Sequence, residues 1–292
     1  MRLPNKPKVL PRLAGVIALG CVLFIRLSAQ TIVYGGFAST SGLRLNGTSV
    51  ATSTDDGTVL RLVPASVTHA GSAFTTTQVS FTGFSTAFEF RLTSPGSSSE
   101  AVQPGADGLT FALQTVSASS IGATGGGLGY QGISSSVAVE FDTFRNIGTP
   151  IFDSSSNHVG VDTGGSLNSI ATANVENRFD NGNKWTAWVD YDSSTHTLEV
   201  RVSESGVRPN SALLTQSINI ANTLDSGTAY VGFTAGTGGA YANHDLLNWT
   251  FSPSFVSGGV SVSAVPEPST TALLGLGVIL VLGGRRLFRR AP

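Results

Sequence analysis

Cysteine is almost missing from this chain. Its 292 residues include one, Cys21, so no intramolecular disulfide can form. The fold must be held by its core, helped at most by a bound ion. Charge is scarce as well: Asp, Glu, Lys and Arg make up 12% of the sequence, about half the usual share of roughly 25%. Basic residues are fewest where a folded body would sit. Between Gln30 and Pro266 eight Lys and Arg stand against 17 Asp and Glu, which leaves that stretch near −9. Such a body repels nucleic acid and suits a cation. The two apolar runs, Leu13 to Ile25 and Thr271 to Gly284, are shorter than the about 20 residues of a spanning helix. No internal repeat, no convincing helical period and no Gly-x-Ser-x-Gly nucleophile elbow is present.

What is present at the two ends reads as addressing. MRLPNKPKVLPR carries four basic residues and no acidic one, the Leu13–Ile25 run follows, and Ser28-Ala29-Gln30 comes after it. That is the layout of a secretory signal peptide over 1–29, cleaved after Ala29. At the other end Val265-Pro266-Glu267-Pro268-Ser269 precedes the second apolar run, and Arg285, Arg286, Arg289 and Arg290 close it. The cluster is expected to stay cytoplasmic. Pro-Glu-Pro, short apolar helix and arginine cluster, in that order, resemble the PEP-CTERM sorting tail of bacterial exported proteins. The resemblance implies export, temporary membrane tethering through a single C-terminal apolar helix over 265–292, and processing by an exosortase-type enzyme, often in exopolysaccharide-producing cells. A linker over 255–264, poor in large side chains, joins tail and body.

The body, 30–254, is turn-rich, with most of the chain's 35 glycines, and it alternates. Phe88, Phe90 and Leu92 interleave with Glu89 and Arg91. Leu109 to Leu113, Val137 to Phe141 and Trp185 to Tyr191 read as further strands. Leu198, Val200 and Val202 follow a polar turn and make a hairpin with the Trp185 strand, and Tyr230 to Thr234 and Leu246 to Phe251 complete the set. Many short antiparallel strands without helices predict an all-β sandwich or jelly roll.

One stretch concentrates the chemistry. Val137 to Gly160, VAVEFDTFRNIGTPIFDSSSNHVG, presents Glu140, Asp142, Asn146, Asp153 and His158 within nineteen positions. On a strand Glu140, Asp142 and Phe144 share one face while Phe141 and Thr143 take the other. Calcium takes six to eight oxygen ligands, including amide and backbone carbonyls, and a transition ion accepts carboxylates with an imidazole. The stretch offers both sets. Taken alone, it leaves catalysis open beside a structural metal centre.

Blocks along the body resemble the legume-type (L-type) lectins. They run Ser41-Gly42-Leu43-Arg44-Leu45-Asn46-Gly47, Ala70-Gly71-Ser72-Ala73-Phe74, Phe84 to Phe90, Ala106-Asp107-Gly108-Leu109-Thr110-Phe111, Val137 to Phe144, His158-Val159-Gly160-Val161-Asp162, Val231 to Ala235 and His244 to Trp249. The resemblance implies the concanavalin A-like jelly-roll β-sandwich and a metal-dependent carbohydrate-binding function. By motif, Asp142, the Phe144 carbonyl, Asn146 and Asp153 are the expected Ca2+ ligands. Glu140, Asp142, Asp153 and His158 are the expected ligands of Mn2+ or another transition ion. Asp107, which in the family follows a cis peptide bond, is the expected sugar carboxylate. Gly126 and Gly127 match the loop whose backbone N–H reaches a sugar hydroxyl, Asn146 serves metal and sugar, and Phe144 is the stacking ring. The loop from Gly236 to Asn243 matches the one that tunes sugar choice, with Tyr241 as a contact. One departure stands out: Asn146 and Asp153 are seven positions apart, longer than the family usually has, which makes Asn146 the least secure ligand. Edges in this family often pair, so an oligomer is compatible.

Two other classes compete. A structural or adhesive surface protein could keep the fold without binding sugar. A glycoside hydrolase on the same jelly roll would carry Glu-x-Asp-x-x-Glu, but Arg145 stands at the second glutamate, and retaining hydrolysis needs two carboxyl groups about 5–5.5 Å apart. The chain is therefore expected not to be an enzyme. Gly127-x-Gly129-x-x-Gly132 fits a dinucleotide pattern, yet a strand follows it rather than a helix.

Overall fold

Every alternating stretch becomes a strand in the computed structural model, which describes residues 31–99, 105–148 and 150–262. The signal segment and the PEP-CTERM tail lie outside the described residues. In chain order the strands are β1 Ile32–Tyr34, β2 Leu43–Gly47, β3 Val50–Thr54, β4 Gly57–Val63, β5 His69–Thr75, β6 Val79–Ser80, β7 Phe84–Ser97, β8 Gly108–Gln114 and β9 Ser136–Asp142. They continue with β10 Ile147–Gly148, β11 Ile151–Phe152, β12 His158–Thr163, β13 Ala171–Asn174, β14 Lys184–Asp192, β15 Thr197–Ser203, β16 Leu214–Ser217, β17 Thr228–Thr237 and β18 Ala240–Ser252. One sheet runs β16-β15-β14-β7-β18-β4-β3, with β1 on β18 beyond the reach of β4. The other runs β13-β12-β9-β8-β17-β5-β2, with β6 on β17. This is the expected all-β sandwich.

Between the sheets the alternating apolar residues meet. Phe88 of β7 has ring centroids of Phe233, Phe141 and Phe111, all from the facing sheet, at 4.9, 5.5 and 6.1 Å. Phe90, Phe179, Trp185, Trp249 and Phe251 extend the same cluster. Aromatic pairs at these separations contribute about 0.5–1.5 kcal/mol beyond the area they bury. A second, smaller cluster holds Phe74, Ala112, Leu128, Tyr130, Ile133, Ala138, Ile151 and Leu167. Ala112 and Ala138 alternate with core residues of β8 and β9, so this cluster covers the outer face of the second sheet. It fastens the loop after β8 and the β10–β11 hairpin onto that sheet, and both border the site.

A five-residue helix, α1 (Ile220–Leu224), has no counterpart in the sequence reading. Asn219 caps it by accepting from the Asn222 N–H at 3.0 Å. Its single turn is too short to show a 3.6-residue period.

Phe88→Ala is expected to destabilise the fold by about 3–5 kcal/mol, the range for deleting a buried aromatic ring. The exposed Phe255→Ala should stay within about 0.5 kcal/mol. Denaturant unfolding of the two variants measures the difference.

Candidate functional site

The site begins on β9. Val139 and Phe141 point into the core, so Glu140 and Asp142 emerge on the outer face. Register then brings in their neighbours: Gly108 and Thr110 of β8 stand opposite Asp142 and Glu140, and His158 and Gly160 of β12 flank them on the other side. Ligand atoms of Glu140, Asp142 and His158 lie within 4.8 Å of one another. Glycine is required at position 160, because a Cβ there would run into the Glu140 carboxylate and the Ser169 hydroxyl. The His158 Nε2 is 3.1 Å from Glu140 Oε1. Ser169 Oγ spans Glu140 Oε1 at 2.6 Å and Asp162 Oδ1 at 2.9 Å.

The long interval between Asn146 and Asp153 closes as a hairpin. Ile147 pairs with Phe152 and Gly148 with Ile151, antiparallel. At its base Asp153 N–H donates to Asn146 O at 2.9 Å, and Asn146 N–H donates to the Asp153 carboxylate. The extra residues therefore close on themselves, and the backbones of Asn146 and Asp153 are held side by side. Phe144 N–H donates to Asp142 Oδ1 at 2.7 Å. Phe144 lies outside both apolar clusters, half-exposed.

Asp107 approaches from the β8 side. The Ala106–Asp107 peptide bond is cis, as the resemblance implies. Asp107 N–H donates to Gly236 O at 3.1 Å, and Thr143 donates to Asp107 O from its N–H at 2.9 Å and its hydroxyl at 3.1 Å. Those bonds tie the end of β17, the Asp107 turn and the end of β9 together. Arg178 braces the far side, donating to Thr143 O at 2.9 Å while forking onto Asp180 through two 2.7 Å bonds. Gly126 packs flat on the Asn146 amide, where a Cβ would come within 2.6 Å of Oδ1. Asn146, Gly126 and Gly127 line one open cavity of about 400 Å3. Tyr241 stands apart from its walls, half-buried, with its ring against the Gly96 backbone.

This arrangement is electrostatically unbalanced. Burial, reinforced by the Asp153 charge and opposed by a Gly238 backbone bond, pushes the Asp107 carboxyl up to about 7. Asp153 rises to about 6, first through burial and then through the Glu140 charge, although the Asn146 N–H bond lowers it. Asp142 is held well above the usual carboxylate range by burial and by the charges of Glu140 and Asp153. Asp162 is raised by burial and Glu140. Burial alone would lower His158, but its hydrogen bond to Glu140 and the charges of Glu140 and Asp153 outweigh it.

A divalent cation fits this donor set. Hard oxygen ligands predominate, one imidazole is present, and Asn146 Oδ1 and Asp107 Oδ2 are buried with no hydrogen-bond partner among the described residues. Buried carboxylates normally pair or bind metal. The sequence reading missed Ser169, Gly160 and Asp162. Gly160 and Asp162 sit inside the quoted HVGVD block, whereas Ser169 carries no local signal.

A family model for the legume lectin domain matches residues 29–266, and one for the PEP-CTERM protein-sorting motif matches 264–290. The chain is 34% identical over 195 residues to L-type lectin-domain containing receptor kinase VIII.1 of Arabidopsis thaliana. That match spans 64% of this chain and 26% of the kinase, so the chain corresponds to about a quarter of that relative. Among solved structures it is similar to lectin I-B4 of Griffonia simplicifolia in a metal-free form, at 26% identity and TM-score 0.63, covering 77% of this chain and 99% of that one. It is equally similar to basic winged bean lectin with Tn-antigen, at 26% identity and TM-score 0.62, covering 76% and 98%.

The raised carboxyls give a signed pH test. Asp107 and Asp153 hold their protons more tightly folded than at their ordinary 3.8. In chelator their contribution favours folding at low pH and is lost as pH rises through about 6 to 7. A cation competes with those protons, so the Tm increment from added calcium should grow between about pH 5 and 8. Melting curves in chelator and in calcium across that window check both slopes.

Proposed function

The chain belongs to the legume lectin domain family, and from that premise we propose an exported, metal-dependent carbohydrate-binding protein. Asp142, the Phe144 carbonyl, Asn146 and Asp153 would hold calcium. Glu140, Asp142, Asp153 and His158 would hold manganese or another transition ion. The bound ions supply the positive charge that lets these carboxylates stay ionised together at neutral pH. The chain's own residues do the recognising. Asp107 accepts from sugar hydroxyls, Asn146 Nδ2 donates, and the half-exposed Phe144 ring offers a face for the apolar side of a pyranose. Gly127 already donates its N–H to Thr124 O at 3.1 Å, which turns the role of loop donor to Gly126. Tyr241, against Gly96, is left for a more remote contact with a longer ligand.

The observation that carries this reading is convergence. Asp107, Asn146 and Gly126 come from three separate segments, and each meets the carboxylate cluster or the cavity beside it. Arg145 supports binding rather than hydrolysis: where a second acid would stand, its guanidinium donates to Asp153 O at 3.3 Å. The remaining parts of the proposal follow the two ends: a signal peptide over 1–29, the lectin body over 30–254, a linker over 255–264, and a tail processed by an exosortase-type enzyme after transient membrane anchoring. A glycan or exopolysaccharide at the cell surface or in the extracellular matrix is the partner, with oligomers compatible and nucleic acid excluded by charge.

A glycan array run with calcium and manganese should show binding that chelator abolishes. Asp107→Ala should weaken it roughly ten- to 150-fold, the equivalent of about 1.5–3 kcal/mol for a hydrogen bond to a charged group. A protein that melts normally yet binds no glycan under any metal condition would favour the non-binding surface-protein reading instead.

A further inference from the structure

Ile147 and Phe152 have no explanation in the site described so far. Directly opposed residues of an antiparallel pair project on the same face, so these two side chains share one face of the β10–β11 hairpin. They are 75% and 64% exposed. The hairpin itself is fixed. Ile151 is buried in the smaller apolar cluster, and Asn168 Nδ2 donates to Pro150 O at 2.7 Å.

Ile147, together with Gly148, Pro150 and Ile151 but without Phe152, lines the cavity of about 400 Å3, within the range of roughly 300–1,000 Å3 for small-ligand pockets. One wall is apolar, from Ile147, Pro150 and Ile151. The other is polar, from Thr124 and Gln131, with the Gly126 and Gly127 backbone between them. None of its lining residues is charged. Asn146 and Gly126 belong both to this cavity and to the sugar site, so the two are continuous. One apolar wall facing hydroxyl and amide groups matches the two surfaces of an uncharged pyranose.

We propose that the β10–β11 hairpin builds a second sugar subsite, which takes the next neutral pyranose of an oligosaccharide whose first residue is held at Asp107 and Asn146. The inference rests on the carbohydrate-binding reading above. Ile147 packs on the ring, Thr124 and Gln131 bond its hydroxyls, and the chain prefers a stretch of glycan to a single sugar. Uronic or sialic acids gain nothing in this cavity, since none of its walls carries a cation.

The test is titration calorimetry on the purified chain with calcium and manganese. The probes are mannose, galactose and glucose, each with its free di- and trisaccharide series. The best series should bind at least tenfold tighter as a disaccharide than as its monosaccharide. Ile147→Ser and Gln131→Ala should erase that gain while leaving monosaccharide affinity within about twofold and the melting temperature unchanged. Phe152→Ser, on the same face but outside the cavity walls, should leave the disaccharide gain in place. Monosaccharide binding with no gain from chain length, or a gain that survives Ile147→Ser with Gln131→Ala, overturns the subsite and leaves the lectin reading standing. A folded, metal-loaded protein that binds no probe of any length overturns both.

Discussion

Five carboxylates, Asp107, Glu140, Asp142, Asp153 and Asp162, are buried at one end of one sheet. Among the described residues, the positive groups acting on Asp153 are the His158 imidazole and the Arg145 guanidinium. Taking charge out of water is among the largest penalties a fold can carry. Protonation meets it in part, which is why Asp107 and Asp153 move up toward neutrality. A divalent cation held by these side chains would meet it more fully. The disposition of the site follows from that single imbalance. The chain has no disulfide to hold its loops, and the carboxylate cluster gathers β9, β12, the hairpin base and the Asp107 turn around one point.

The sandwich makes the imbalance tolerable. Phe88, Phe111, Phe141 and Phe233 interlock across the sheets, so β8, β9 and β17 keep their register whatever the state of the outer face. Because side chains alternate, the strand that sends Phe141 into the core sends Glu140 and Asp142 out. A one-residue slip would exchange the two sets and destroy both. Core and site are thus one constraint seen from two sides of β9.

That coupling explains what was legible in the sequence. Alternation is a local signal, so β7, β8, β9, β14, β15, β17 and β18 could be read directly. The spacing of Glu140, Asp142 and His158 on paired strands carried this group of candidate ligands with them. Asp107 entered through its Ala-Asp-Gly motif and family resemblance, because no local pattern marks a residue that meets its partners across 36 positions, as the Thr143 bond to the Asp107 backbone carbonyl does. Ser169 escaped for the same reason: its contacts to Glu140 and Asp162 exist only after β12 turns back along β9. Tyr241 was legible as part of a loop, but the direction of its ring depends on β18 pairing with Gly96 of β7, a tertiary fact. The β10–β11 hairpin was invisible as structure. Two residues per strand are too few to show a period, and only the excess length between Asn146 and Asp153 marked it.

The excess length is also closed off before it reaches the carboxylate cluster. Lengthening a loop costs only a fraction of a kcal/mol in closure entropy, and here the Asn146–Asp153 bonds shut the insertion at its base before that cost reaches the cluster. What lies beyond the base is then free to vary without disturbing the cluster. A surface isoleucine three-quarters exposed, as Ile147 is, gains little from folding. The same separation divides the two halves of recognition. The carboxylates, Asn146 and Asp107 are constrained by charge and can hardly change. The hairpin above them is held by Ile151 and Asn168, and it is there that this chain has room to differ from its relatives.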